Sequence, residues 1–253
     1  MARSHRNRAR GPIAAATGMA GAWRRAEHHS PPIPLSRGDP VTIPRRALIV
    51  VDAQMEYFDG PMSIQYPPRE ESLANISRVL EVAAEQDMPV VMVQHETDEG
   101  APIFAPGSAG YPLHPDLEQL DDRQWKQVVK GYGSVFAGTD VAEWLRERGV
   151  DTITVVGYMT NNCDLATAVE AEGLGFAAEI LSDATGAIHL ANEAGQVSAE
   201  DLHRTLMVLL QSNFAAVTTT DAWIGAVAGG ESPVRSNLVA SAMNGAEAFT
   251  SGS

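Results

Sequence analysis

Cysteine occurs once in 253 residues, at Cys163, and lysine only twice, at Lys126 and Lys130. A single thiol excludes an internal disulfide framework and any zinc or iron–sulfur site built on several cysteines. It also suits a reducing compartment, so a cytoplasmic location is expected. Positive charge is scarce, with 18 Lys and Arg against 32 Asp and Glu, a net charge of −14. The imbalance is uneven: residues 1–46 hold nine Arg against Glu27 and Asp39, which is +7 and leaves −21 on residues 47–253. An acidic body disfavours nucleic acid and anionic membranes as partners of the folded part. Missing too is any G-x-G-x-x-G after the first apolar run, which removes a dinucleotide-binding reading.

What is present fits one large α/β domain, since the chain is 44% hydrophobic and no linker interrupts its middle. Residues 1–45 read as a basic, proline-rich extension outside that domain. Their apolar centre, PIAAATGMAGAW, is too weak for a secretory signal, so a flexible extension or an upstream start codon is expected. Residues 46–228 form the domain. Residues 229–253, rich in Gly, Ser, Asn and Ala, are expected as a flexible tail beyond the core.

Within the domain, strand and helix patterns alternate. Expected strands are Ala47–Val51, Pro89–His95, Gln127–Lys130, Thr152–Gly157, Phe176–Leu181 and Ala215–Thr219, mostly continuous apolar runs suited to burial on both faces. Expected helices are Glu70–Gln86, Thr139–Arg148, Asn161–Glu172 and Ala199–Leu210; in the first, Leu73, Ile76, Val79, Leu80 and Ala83 make one apolar stripe. The pattern predicts a three-layer α/β/α fold, with a six-stranded, mostly parallel sheet covered by helices on both faces.

Three chemistry-bearing residues follow apolar runs at strand ends, where open α/β sheets place ligands. Cys163 lies at a strand-to-helix turn, where a helix N-terminus lowers a thiol's pKa and offers N–H groups to an oxyanion; packed as a small hydrophobe it would be inert. Asp52 directly follows ALIVV, and burying its carboxylate costs several kcal/mol, about, unless it is paired or protonated. It either caps the turn or acts as a general base. Lys130 ends the third strand as a solvated charge or as the cation that orients Asp52. The sequence alone leaves each pair of readings open.

Together these residues resemble a known family. VVDAQMEYF with Asp52, VVKGYGSVFAGTDVAEWLRERGVDTITVVGYMTNNC with Lys130 and Cys163, and the later LSDAT are similar, in this order over about residues 46–228, to the isochorismatase-like cysteine hydrolases. The resemblance implies an Asp52–Lys130–Cys163 triad that cleaves an amide or lactam through a thioester, and an oxyanion hole from the backbone N–H groups of Met159 and Cys163. It further implies a cis peptide between Tyr158 and Met159, substrate contacts from Tyr57, His95, Phe136 and Asn162, and a homo-oligomer acting on a small molecule.

Nicotinamidases in this superfamily hold a metal with an Asp-x-His pair and further His after the second strand. Here that strand ends Gln94-His95-Glu96-Thr97, so neither metal nor other cofactor is expected. Isochorismatase itself lacks the cysteine in some forms, so Cys163 implies C–N cleavage. The loop from His95 to Pro115, rich in proline and glycine, reads as a pocket lid or a surface excursion. Six acids, Glu56, Asp59, Glu96, Asp98, Glu99 and Asp164, cluster near the inferred mouth. They suggest a cationic substrate such as a streptothricin-like lactam, or simply solubility charge. A non-catalytic, thiol-reactive binding module on the same fold is the alternative.

Overall fold

β1 (Arg46–Val51) is buried from end to end because it has a parallel partner on each edge, β2 (Val90–His95) on one side and β4 (Thr152–Tyr158) on the other. A strand hemmed in this way gains nothing from polar alternation, which is why ALIVV is continuously apolar. The computed structural model describes residues 43–120 and 125–250. β3 (Lys126–Lys130), β5 (Ala177–Gly186) and β8 (Ala216–Thr218) complete a parallel sheet in the order β3-β2-β1-β4-β5-β8. The chain thus runs outward from β1 to β3, returns to lay β4 beside β1, and runs outward again. That reversal between β1 and β4 is the switch point at which a crevice opens beyond the strand ends.

Side-chain alternation along the strands feeds two cores. Leu48 and Val50 face the layer of α1 (Arg69–Glu85), whose stripe Leu73, Ile76, Val79, Leu80 and Ala83 is buried as expected. Ala47, Ile49 and Val51 face Val141, Ala142 and Leu145 of α3 (Val141–Glu147) and Ala168 and Ala171 of α4 (Leu165–Leu174). The fold is therefore the expected three-layer α/β/α.

Several elements depart from expectation. β5 continues past Leu181 to Gly186 and so contains LSDAT, where Asp183 Oδ1 accepts from both the backbone N–H and the hydroxyl of Thr220, each at 2.8 Å. This cap starts α6 (Thr220–Gly229), a helix whose weak periodicity concealed it. A four-residue helix α2 (Pro115–Glu118), an exposed hairpin of β6 (Leu190–Asn192) with β7 (Gly195–Val197), and α7 (Leu238–Thr250) were also unforeseen, whereas α5 (Ala199–Leu209) was expected. α7 buries none of its residues, so it adds helix to the tail without joining the core. The expected N-terminal extension lies, up to residue 42, outside the described residues. None of the helices described is long and apolar enough to cross a membrane.

The sheet end remote from the crevice is locked by a buried ion pair. Arg46 on β1 donates through Nε and Nη2 to Glu179 on β5, at 3.0 and 2.9 Å; Thr154 Oγ1 and Trp223 Nε1 donate to the same carboxylate at 2.8 and 2.9 Å. Trp223 is thereby committed to the core. Since every partner is buried, removing the carboxylate strands a guanidinium and an indole N–H in apolar surroundings. Glu179→Ala is expected to cost about 3–5 kcal/mol, seen as a lower midpoint in urea denaturation; a shift under about 1 kcal/mol would show the network to be dispensable.

Candidate active site

Three strand ends converge at the switch point. Asp52 follows β1 in a left-handed conformation (φ 47°) that Asp tolerates better than most residues, and its N–H still donates to Val93 O at 3.0 Å. Lys130 closes β3. Cys163 follows β4, whose Gly157 (φ 109°) lies so close to β1 that an added Cβ would stand 2.1 Å from Val51 O. Only glycine permits that approach, and it carries the next turn toward Asp52. The Tyr158–Met159 peptide is cis, as the resemblance implied. Thr160–Asp164 then form one π-helical turn that leads directly into α4, and Met159 O accepts from the N–H groups of Asn162 (3.0 Å) and Asp164 (3.3 Å).

The Lys130 ammonium is the centre of the site. Its Nζ lies 2.6 Å from Asp52 Oδ2, 3.2 Å from His95 Nδ1, 3.1 Å from Tyr132 O and 3.3 Å from Cys163 Sγ. Three N–H donors thus face four acceptors, so the ammonium can shift its bonding toward sulfur without breaking its hold on Asp52. Asp52, Lys130 and Cys163 are 0%, 2% and 3% exposed. Gln54 braces the frame: its Oε1 accepts from His95 N–H at 2.7 Å while its Nε2 donates to His95 O and Tyr111 O.

Burial governs the charges. It raises the Asp52 carboxyl to about 6 even though Lys130 opposes the shift. Burial also pulls the Lys130 ammonium down, but the Asp52 carboxylate and the Cys163 sulfur outweigh it, and the group ends above its ordinary value. The Cys163 thiol is pushed well up, first by burial and then by the Asp52 carboxylate, with Lys130 only partly compensating. Here the expectation of a thiol with a lowered pKa fails, because desolvation exceeds what one helix start supplies. The resting site therefore holds a neutral thiol, an ammonium and, above about pH 6, a carboxylate. His95 is lowered to about 4 by burial and by Lys130, so it is neutral and accepts from the ammonium.

The expected substrate-contact residues separate into two groups. Tyr57, within a short 3₁₀ turn at Met55–Tyr57, is buried against Phe104 and Tyr158 with ring centroids 5.3 and 5.5 Å apart. His95 touches Lys130, and Asn162 is exposed on the Cys163 turn beside Gly133. Phe136 is different: it stacks on Phe176, which precedes the far end of β5, at 5.8 Å and 6°. Its ring is buried in the core cluster that also holds Cys163. A ring beside the site that was not expected is Phe104, buried in the loop after β2 at φ 52° and set T-shaped on His95 at 5.3 Å. Nothing in the sequence marks a phenylalanine for a left-handed conformation.

The acidic mouth is also corrected. Glu56 and Asp164 are buried, at 4% and 0% exposure, and Glu96 accepts the Tyr111 hydroxyl at 2.7 Å; only Asp59, Asp98 and Glu99 are exposed. Burial, and then the Asp52 carboxylate, raise the Asp164 carboxyl well above its usual range. As for a metal, Glu96 and His95 serve different partners. Among the described residues, the grouping whose ligand atoms lie within 4.8 Å of one another is Asp52, His95 and Cys163. The Lys130 ammonium already bonds to all three, so a second cation does not fit this donor set while Lys130 is in place.

Sheet order and strand-end chemistry together describe a doubly wound α/β domain with a thiol at its switch point. Residues 46–222 match the Isochorismatase domain, and the chain belongs to the isochorismatase-like superfamily of cysteine hydrolases. A protein from Burkholderia xenovorans LB400, solved under an isochorismatase name, is 47% identical with a TM-score of 0.79, over 82% of this chain and 99% of that one. Isochorismatase family protein YddQ of Bacillus subtilis is 32% identical over 180 residues, 70% of this chain and 98% of its own. Nicotinamidase/pyrazinamidase of Mycobacterium tuberculosis is 30% identical over 163 residues, 56% of this chain and 87% of its own.

Proposed function

We propose that this chain is a cysteine-dependent amidohydrolase that cleaves the C–N bond of a small, uncharged amide, with Asp52, Lys130 and Cys163 as its catalytic residues. The observation that carries the reading is the buried ammonium held 2.6 Å from Asp52 Oδ2 and 3.3 Å from Cys163 Sγ. With the thiol neutral at rest, its proton must leave as sulfur attacks. Asp52 Oδ1, buried and without a hydrogen-bond partner, is the natural acceptor. Sulfur bonds to the carbonyl carbon, the C=O electron pair moves onto oxygen, and the backbone N–H groups of Met159 and Cys163 hold that oxyanion. As the C–N bond breaks, the amine leaves with the proton from Asp52. Water then attacks the thioester, Asp52 again taking the proton, and the acid departs with the thiol restored.

The residues beside the site support a neutral substrate. Tyr57, Phe104 and an uncharged His95 lie by a site in which Lys130 and Asp52 cancel, and three of the six acids near it, Glu56, Glu96 and Asp164, are buried or engaged. The Mycobacterium tuberculosis relative is named for two amides, which agrees with this class. A redox-sensing module is the weaker reading, because a buried thiol with a raised pKa oxidises slowly.

Ammonia release from nicotinamide, a carbamoylated amine and an oxamate-like acid, together with ring opening of a cationic lactam followed by its gain of one water in mass, tests the proposal. Turnover of a neutral amide, with the cationic lactam at least about tenfold slower in kcat/KM, is expected; no hydrolysis of any of them would overturn it. On the best substrate, kcat/KM should rise with pH through about 6, because Asp52 must be ionised to accept the proton. A profile flat from pH 5 to 8 would remove Asp52 from that role.

A further inference from the structure

The turn that carries Cys163 is held from behind by a helix with no other part in the site. Thr160, its first residue, is fully buried, and Oγ1 lies 3.0 Å from Nδ1 of His203 on α5. On the other side of the ring, Nε2 lies 2.9 Å from the carbonyl oxygen of Ser182 on β5. A carbonyl can only accept, so Nε2 carries the ring hydrogen; Nδ1 is then an acceptor, and the Thr160 hydroxyl donates to it. Burial lowers His203 below its usual range, which preserves this neutral form. Tyr66 packs T-shaped on the imidazole at 5.5 Å and fixes its plane. A directional hydrogen-bonded strut therefore runs from the sheet backbone to the residue that directly follows Met159.

We propose that His203 is a positioning residue for the oxyanion hole: by accepting the Thr160 hydroxyl, it fixes the Met159–Cys163 turn so that the two backbone N–H groups converge on the developing oxygen. The inference rests on the hydrolase reading above. Neither Thr160 nor His203 touches the thiol in the resting structure, so their effect should fall on the charge that develops during attack and leave sulfur's own reactivity intact.

The test uses T160V, T160S, H203F and the T160V/H203F double variant of the full chain, with three readouts. On the best amide, T160V and H203F should each lose about tenfold or more in kcat with KM within about twofold, and T160S should recover most of what T160V loses. Alkylation of Cys163 by iodoacetamide, which builds no oxyanion, should stay within about twofold of wild type. Each single variant leaves a buried group unpaired and lowers Tm; the double removes both partners of the Thr160–His203 bond, so its Tm recovers above that of H203F, with which it shares the loss of the Ser182 bond, while kcat does not recover. If kcat recovers along with Tm, or the two losses simply add, His203 is structural only and the proposal falls. Benzaldehyde separates this from failure of the function itself. The thiol adds across the carbonyl, sulfur bonding to carbon and oxygen taking the proton, and this protects Cys163 from iodoacetamide. Wild type that captures the aldehyde but hydrolyses no amide refutes the amidohydrolase and leaves the strut standing if T160V captures about tenfold less well. Equal capture by T160V overturns the strut.

Discussion

Replacing Lys130 by methionine is expected to cut kcat/KM by about 10²–10⁴-fold, because it removes the ionised base as well as a charge. Asp52 is held near 6 only because the ammonium at 2.6 Å opposes the cost of full burial. Without it, desolvation acts alone and the carboxyl stays protonated at neutral pH, where it cannot accept the thiol proton. The same change makes a stability prediction with a definite sign. A carboxyl whose folded pKa is raised above its unfolded value penalises the fold progressively as pH rises through that interval. In wild type the penalty accumulates between about 4 and 6; in K130M it continues to higher pH. Urea denaturation should therefore show K130M losing more stability relative to wild type at pH 8 than at pH 5. An equal difference at both values would mean that Lys130 does not control Asp52. K130R is no rescue, since a planar guanidinium cannot fit four acceptors arranged around one nitrogen.

Cys163→Ala should abolish turnover, a loss of at least about 10⁴-fold, since no other described side chain in the site is a plausible nucleophile toward an amide. Lys130 is an ammonium with its pKa raised above the ordinary value, Tyr57 is pushed up by burial and then by Asp52, and His95 is bonded to Lys130. Folding should be unaffected beyond the small cost of one sulfur, so C163A should melt close to wild type. Its Asp52 should also titrate higher, because the thiol, whose contact helps to hold the carboxyl down, is gone. Residual hydrolysis within about tenfold of wild type would show that water is activated directly and that the thioester is not on the path.

The sheet and the three converging residues were legible because each announces itself locally. ALIVV ends in a carboxylate, QVVK in an ammonium, and TITVVGY in a glycine turn before a thiol; none of these placements is cheap without a partner. What could not be read was anything set by segments distant in the chain. Cys163 stands at a helix start, which alone lowers a thiol's pKa, but Asp52 and Lys130 beside it come from the ends of β1 and β3, and burial reversed the sign. Phe136 and Phe104 are both phenylalanines in loops after strands; one stacks on Phe176 and the other on His95, a difference in backbone direction that composition does not carry. Glu56 and Asp164 looked like surface acids for the same reason. The Thr160–His203 strut joins residues 43 positions apart, and only the packing of α5 against the nucleophile's turn brings them together.

Acyl transfer to one sulfur is the claim on which the rest depends, and intact mass of acid-quenched enzyme tests it directly. Wild type mixed with its best amide and quenched within the first turnovers should gain the mass of the acyl group, mapped by peptide analysis to Cys163, with ammonia released in the same stoichiometry; C163A should gain nothing and release none. Ammonia released by C163A at the wild-type rate, or an acyl group found on any other residue, would contradict the account.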